Sequence, residues 1–206
     1  MHISKGYISD YSDEFYDAEI AFLSPAKRAR VLRFTRENDK KLGILSDYLA
    51  REAVSALSGV AEDAIRIDSH SSGMPYVAVP GDLNINVSIS HSGDIAVAAA
   101  SDMPVGIDVE AMVPDVKMDE IMKMLFAPSE ISYVNKDAEQ KTTRFYEVWT
   151  KKEAFLKLAG TGFNVNSNPQ ETDVLALPDM YKAWIIESEN GYMISIVTVL
   201  QTSNNI

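Results

Sequence analysis

Apolar residues recur at every second position three times in the middle of this chain. The runs are Ile85, Val87 and Ile89, then Ile95, Val97 and Ala99, then Val105, Ile107 and Val109. A period of two belongs to β-strands, whose side chains alternate between faces. The first two runs flank Ser90-His91-Ser92-Gly93-Asp94, a tight connection, and the third follows the turn Asp102-Met103-Pro104. On either side the period changes. Leu42, Leu45, Leu49, Ala53, Ala56 and Leu57 step by threes and fours along an amphipathic helix from Lys41 to Leu57, with Gly59 as its stop. Ser24-Pro25 reads as an N-cap and first helical position. Helical spacing returns at Met118, Ile121, Met122 and Leu125, and at Phe145, Val148, Trp149, Phe155 and Ala159 up to Gly160. Met193 to Val199 is apolar on most of both faces, as a buried strand is. The pattern is α+β, with the turn at Met103-Pro104 as the best boundary.

A chain of 206 residues allows one domain or two small ones. Its net charge of −11 opposes a general nucleic-acid binder, which needs a positive field against phosphates. The absence of cysteine rules out disulfides, thiolate metal sites and cysteine nucleophiles. The apolar run Ile95–Ala100 is far short of the ~20 residues that span a bilayer. The first residues are too polar for a signal peptide. A cytoplasmic protein with no membrane or nucleic-acid partner is expected.

Three segments carry candidate chemistry. In Gly106-Ile107-Asp108-Val109-Glu110 the alternation turns Asp108 and Glu110 to one face, roughly 6–7 Å apart at the backbone. Two convergent carboxylates suit a hard cation such as Mg²⁺, although a solvent-facing strand edge also carries acids. In Trp149-Thr150-Lys151-Lys152-Glu153-Ala154-Phe155-Leu156-Lys157, Glu153 and Lys157 are helical neighbours. They read either as a surface ion pair or as a third ligand beside anion-facing lysines, Lys152 and Lys157. The helix runs through Thr150, which weakens a capping-box reading there. Lys27, Arg28, Arg30, Arg33, Arg36, Lys40 and Lys41 form a basic cluster in an otherwise acidic chain. It is a solvated helix face or a surface for a phosphorylated ligand.

Taken together, Gly73-Met74-Pro75-Tyr76, Ser88-Ile89-Ser90-His91-Ser92, Gly106-Ile107-Asp108-Val109-Glu110 and Trp149-Thr150-Lys151-Lys152-Glu153-Ala154 with Lys157 and Gly160 resemble the 4′-phosphopantetheinyl transferases, in particular the surfactin-synthetase-activating (Sfp) type. The resemblance includes Ser24-Pro25-Ala26-Lys27 and extends from about Ser24 to Gly162. It implies a pseudo-two-fold α+β monomer of two similar subdomains, 1–104 with a basic coenzyme A-binding helix and 105–206 with metal-binding carboxylates, and an active site in the cleft between them. It also implies the reaction. The phosphopantetheine arm of coenzyme A passes to a serine of an apo acyl or peptidyl carrier protein, adenosine 3′,5′-bisphosphate leaves, and Mg²⁺ is required. Asp108, Glu110 and Glu153 match metal ligands. Glu153, or a water held near Glu110, would take the serine proton, and Lys157 would meet the departing phosphate. Lys27, Arg30, Pro75, Ser90, His91, Lys152 and Lys157 match coenzyme A contacts, His91, Lys27 and Arg30 near the 3′-phosphate.

Two departures bear on those contacts. Met74 stands where the family often has lysine or arginine, and Leu42-Gly43 replace an arginine–threonine pair. A metal-dependent phosphoesterase, or a coenzyme A and carrier-protein binding module with degraded catalysis, are the alternatives.

Overall fold

The computed structural model describes residues 1–114, 117–160, 169–187 and 191–200. Thr161 and Gly162, the C-terminal edge of the family resemblance, lie outside them. The chain divides into two compact units, Met1–Val105 and Gly106–Ile206.

The first unit is an antiparallel sheet with one long helix on it. Strands β1 (His2–Tyr7), β2 (Arg66–Ser69), β3 (Pro75–Val79), β4 (Asn86–Ser92) and β5 (Ile95–Ser101) lie in the order β1-β5-β4-β3-β2. Helices α1 (Asp13–Glu19), α2 (Pro25–Val31) and α3 (Glu37–Ser58) complete it. α3 crosses the sheet on Leu42, Leu45, Leu49 and Ala53, joined by Ile44, Ala50 and Val54, all buried. Leu57 packs half-buried at the edge of that core, and Ala56 is exposed. The helix stops at Gly59, which takes φ 75 and donates its N–H to Ser55 O at 2.8 Å. Ser24 caps α2, its Oγ accepting from Lys27 N at 3.3 Å, with Pro25 in the first turn. The basic cluster is therefore not one helix. α2 ends at Val31, and α3 begins at Glu37.

β5 is buried along its whole length: β1 and β4 flank it, and α3 packs on the face that carries Ala96, Ala98 and Ala100. The β4–β5 hairpin closes on Gly93 and Asp94, with Gly93 at φ 57, as tight two-residue turns demand. His91 consequently sits within β4, paired with Ala96, and not in the connection where the sequence reading put it.

The second unit has a three-stranded sheet in the order β6-β8-β7, from β6 (Val105–Ala111), β7 (Tyr181–Glu187) and β8 (Tyr192–Val199). Its helices are α4 (Met118–Leu125), α5 (Pro128–Asn135) and α6 (Lys141–Leu158). α6 lies against β8 and buries Phe145, Val148 and Leu156. It does run through Thr150, whose Oγ1 bonds back to Tyr146 O at 2.8 Å and meets Ser195 Oγ at 2.7 Å. Among the described residues no helix is long and apolar enough to cross a membrane.

Candidate active site

In the second unit one strand face and one helix face meet. Gly106, Asp108 and Glu110 share a face of β6 by alternation, and that face is turned to α6. A Cβ on Gly106 would stand 1.8 Å from Ala154 O and 2.8 Å from Leu158 N. Only glycine lets the helix backbone come that close. The approach brings three α6 side chains, each one turn apart, onto the strand. Lys157 Nζ donates to Asp108 Oδ1 at 2.7 Å and to Ile107 O at 3.2 Å. Trp149 Nε1 donates to Glu110 Oε1 at 3.2 Å. Between them stands Glu153. Asp108 is 3% exposed, so α6 covers the face that the sequence alone would also allow as a solvent edge.

Glu153 lies half-buried in this field. Burial, and then the negative charges of Asp108 and Glu110, push its carboxyl from 4.5 to about 7, against the opposing pull of Lys157. Glu153, raised by two neighbouring carboxylates, completes with them a donor set that a hard cation relieves. No group of three His, Cys, Asp or Glu side chains among the described residues is already gathered as a metal cage. Mg²⁺ is commonly held by one or two carboxylates together with substrate phosphates and water. Asp108, Glu110 and Glu153 therefore fit the ion by donor type and charge.

The raised carboxyl carries a stability consequence for the metal-free chain. The folded protein keeps a proton on Glu153 that the unfolded chain releases above about pH 4.5. Stability present below that pH is lost as pH rises through about 7. In chelator, Glu153→Gln is expected to stabilise the chain by about 1 kcal/mol at pH 8 and by nothing at pH 4. Urea titrations at both values check this, and an equal difference at the two pH values contradicts it.

Lys152 requires a correction. The sequence reading turned it toward the nucleotide. In the structure it and Glu130 are both 0% exposed and pair at 2.9 Å. Lys152 also donates to Thr172 O, while Glu130 accepts from Ala127 N and Val174 N. Burial pushes the Lys152 ammonium down, and Glu130 partly restores it. The reason is helical phase. Lys152 stands four residues from Val148 and four from Leu156, on the buried stripe of α6.

In the first unit a second group of predicted residues surrounds one open pocket. Lys27, Arg30, Val31 and Phe34 come from α2 and the turn after it, Gly43, Ser46 and Asp47 from one face of α3, Ser69, Gly73 and Pro75 from the β2–β3 hairpin, and Ile89 and His91 from one face of β4. Lys27 Nζ is held by buried Asp47 at 2.7 Å, and Asp47 also accepts from Arg51 Nε at 3.2 Å. Arg30 is exposed and stands 6.0 Å from the Phe34 ring centre. Ser90 is buried on β4 and is not among the residues lining the pocket. Met74 is exposed. Leu42 belongs to the core, and a Cβ on Gly43 would meet Val31 Cγ2 at 2.9 Å. Core packing thus accounts for Leu42, and packing between α2 and α3 for Gly43. Ser46 and Asp47 escaped the sequence reading; the only signal was an acid placed four residues before Arg51.

The two stretches of chain that carry these residues match known proteins. Residues 10–103 match the family model for the N-terminal part of 4′-phosphopantetheinyl transferases, and residues 104–190 match that of the 4′-phosphopantetheinyl transferase superfamily. The chain is 31% identical over 196 residues to the 4′-phosphopantetheinyl transferase Sfp of Bacillus subtilis strain 168, covering 90% of this chain and 86% of that protein. The chain belongs to the 4′-phosphopantetheinyl transferase superfamily. A second Bacillus subtilis 4′-phosphopantetheinyl transferase is 35% identical over 150 residues, which is 72% of this chain and 65% of that relative, just under two thirds of its length. The likeness runs to phosphopantetheinyl transferases of the Sfp type, and transfer of 4′-phosphopantetheine is the activity that goes with this family.

Proposed function

We propose that the chain transfers 4′-phosphopantetheine from coenzyme A to a serine hydroxyl of an apo acyl or peptidyl carrier protein, with Mg²⁺, as a monomer in the cytoplasm. The observation that carries this reading is the meeting of Asp108, Glu110, Glu153 and Lys157 on facing surfaces of β6 and α6 in a member of this family. In the reaction the serine oxygen forms a bond to the β-phosphorus of coenzyme A. The pyrophosphate bond breaks, and adenosine 3′,5′-bisphosphate leaves with the bridging oxygen.

The chain's own residues divide the work. Glu153, on the α6 face turned to β6, takes the serine proton. Lys157 is 29% exposed while anchored to Asp108 and the Ile107 carbonyl. It is therefore held in place yet open to ligand, and it meets the charge that grows on the leaving phosphate. Asp108 and Glu110, with Glu153, would hold Mg²⁺. When bound, the ion neutralises charge on the phosphoryl oxygens. Lys27, Arg30 and His91 take the nucleotide in the first unit's pocket, where a local positive patch offsets the repulsion of an acidic chain. Transfer to a purified apo-carrier is expected to stop in chelator and return with Mg²⁺; full activity in chelator contradicts the metal assignment.

The nucleotide assignment has its own test. His91→Ala and Arg30→Ala are expected to raise the KM for coenzyme A about tenfold each, the size of one charged hydrogen bond. With dephospho-coenzyme A, which lacks the 3′-phosphate, both effects shrink toward unity. Equal losses with either donor place these residues elsewhere on the nucleotide.

A further inference from the structure

A serine in the interior of a helix commonly bonds its hydroxyl back to the carbonyl four residues earlier. This chain follows that habit at Ser58 on α3, Ser132 on α5 and Thr150 on α6, each at 2.8 Å. Ser46, also on α3, departs from it. The residue is 6% exposed, its Oγ is buried, and among the described residues that atom has no hydrogen-bond partner. Buried hydroxyls are nearly always paired, because an unpaired one has given up water for nothing.

The neighbours of Ser46 supply the reason. It lines the first unit's pocket together with Lys27, Arg30 and His91. The pocket is open and offers about 180 Å³, room for more than a single water. Gly43, one turn earlier on the same face of α3, carries no side chain to cover it, and Val31 leaves no room for one. The next residue, Asp47, is fixed from both sides by Lys27 and Arg51, which pins this turn of the helix against the pocket.

We infer that the Ser46 hydroxyl is reserved for the ligand and donates a hydrogen bond to the bound nucleotide, an inference that rests on reading this pocket as the nucleotide site. Such a residue has two opposite signatures. It costs the free chain stability, and it adds affinity to the complex. A serine with a purely structural role does neither.

The test uses the full chain and adenosine 3′,5′-bisphosphate as probe, with calorimetric titration and thermal melting of the free protein. Ser46→Ala is expected to weaken binding about tenfold, the worth of one hydrogen bond to a charged group, while melting at the same temperature as the parent or higher. Ser58→Ala, which removes a hydroxyl from the same helix that does have an internal partner, is expected to bind as the parent does and to melt no higher. Unchanged affinity in Ser46→Ala overturns the inference and leaves the pocket's assignment standing. A Ser46→Ala protein that melts clearly below the parent overturns it too, since the hydroxyl then has a partner in the free chain. A parent chain that takes up no nucleotide overturns the reading of the pocket and this inference with it.

Discussion

Lys152→Met is expected to cost the chain about 3–5 kcal/mol, the penalty for leaving one member of a buried ion pair without the other. That is a large share of the ~5–15 kcal/mol that holds a domain folded. Glu130 would keep its bonds from Ala127 N and Val174 N but lose the only cation within its 0% exposed pair. The residues it ties together, at the start of α5 and around Val174, would then be held around an uncompensated charge. Both tryptophans, Trp149 and Trp184, lie in the second unit, so their fluorescence in urea reads this loss directly. A nucleotide-contacting lysine behaves in the opposite way, lowering affinity and sparing the fold. A Lys152→Met protein within about 1 kcal/mol of the parent and weak in coenzyme A binding would return Lys152 to the role its neighbours in sequence suggest.

Asp108→Asn is expected to lower transfer by about 10²–10³-fold, the range seen when one electrostatic partner of a transition state is removed. Two effects combine. One of three carboxylates is lost from the set that would hold the cation, and Lys157 loses the negative charge of the partner that fixes it at 2.7 Å. Size and shape are kept, so the melting temperature in chelator stays within a few degrees of the parent. A steep fall in kcat with little change in the coenzyme A KM is the signature of charge that matters during reaction. A variant that transfers at the parental rate removes Asp108 from the chemistry.

Much of this was legible in the chain. The two-residue period announced β4, β5 and β6, and the 3.6 period announced α3, α4 and α6. The alternation argument also put Asp108 and Glu110 on one face. It could not show that the face is covered, because the cover depends on Gly106 meeting the backbone of α6 some fifty residues away. β1 gave no signal, since its core-facing residues are Ser4 and Gly6, small rather than apolar. Lys152 was misplaced because the motif containing it is dense in charge, although its phase with Val148 and Leu156 pointed inward. The pocket's lining was half visible. Lys27, Arg30, Pro75 and His91 were readable from the family pattern, whereas Ser46 and Asp47 take their meaning only from three-dimensional neighbours.

The central claim is transfer to a carrier serine, and one measurement reaches it most directly. Purified chain, coenzyme A, Mg²⁺ and an apo-carrier protein are incubated together, with intact-mass spectrometry of the carrier and chromatography of the nucleotide. One phosphopantetheine is expected on each carrier, with one adenosine 3′,5′-bisphosphate released for each, and neither product from a carrier whose serine is replaced by alanine. Nucleotide released at the same rate with no carrier present would make the chain a hydrolase and contradict it.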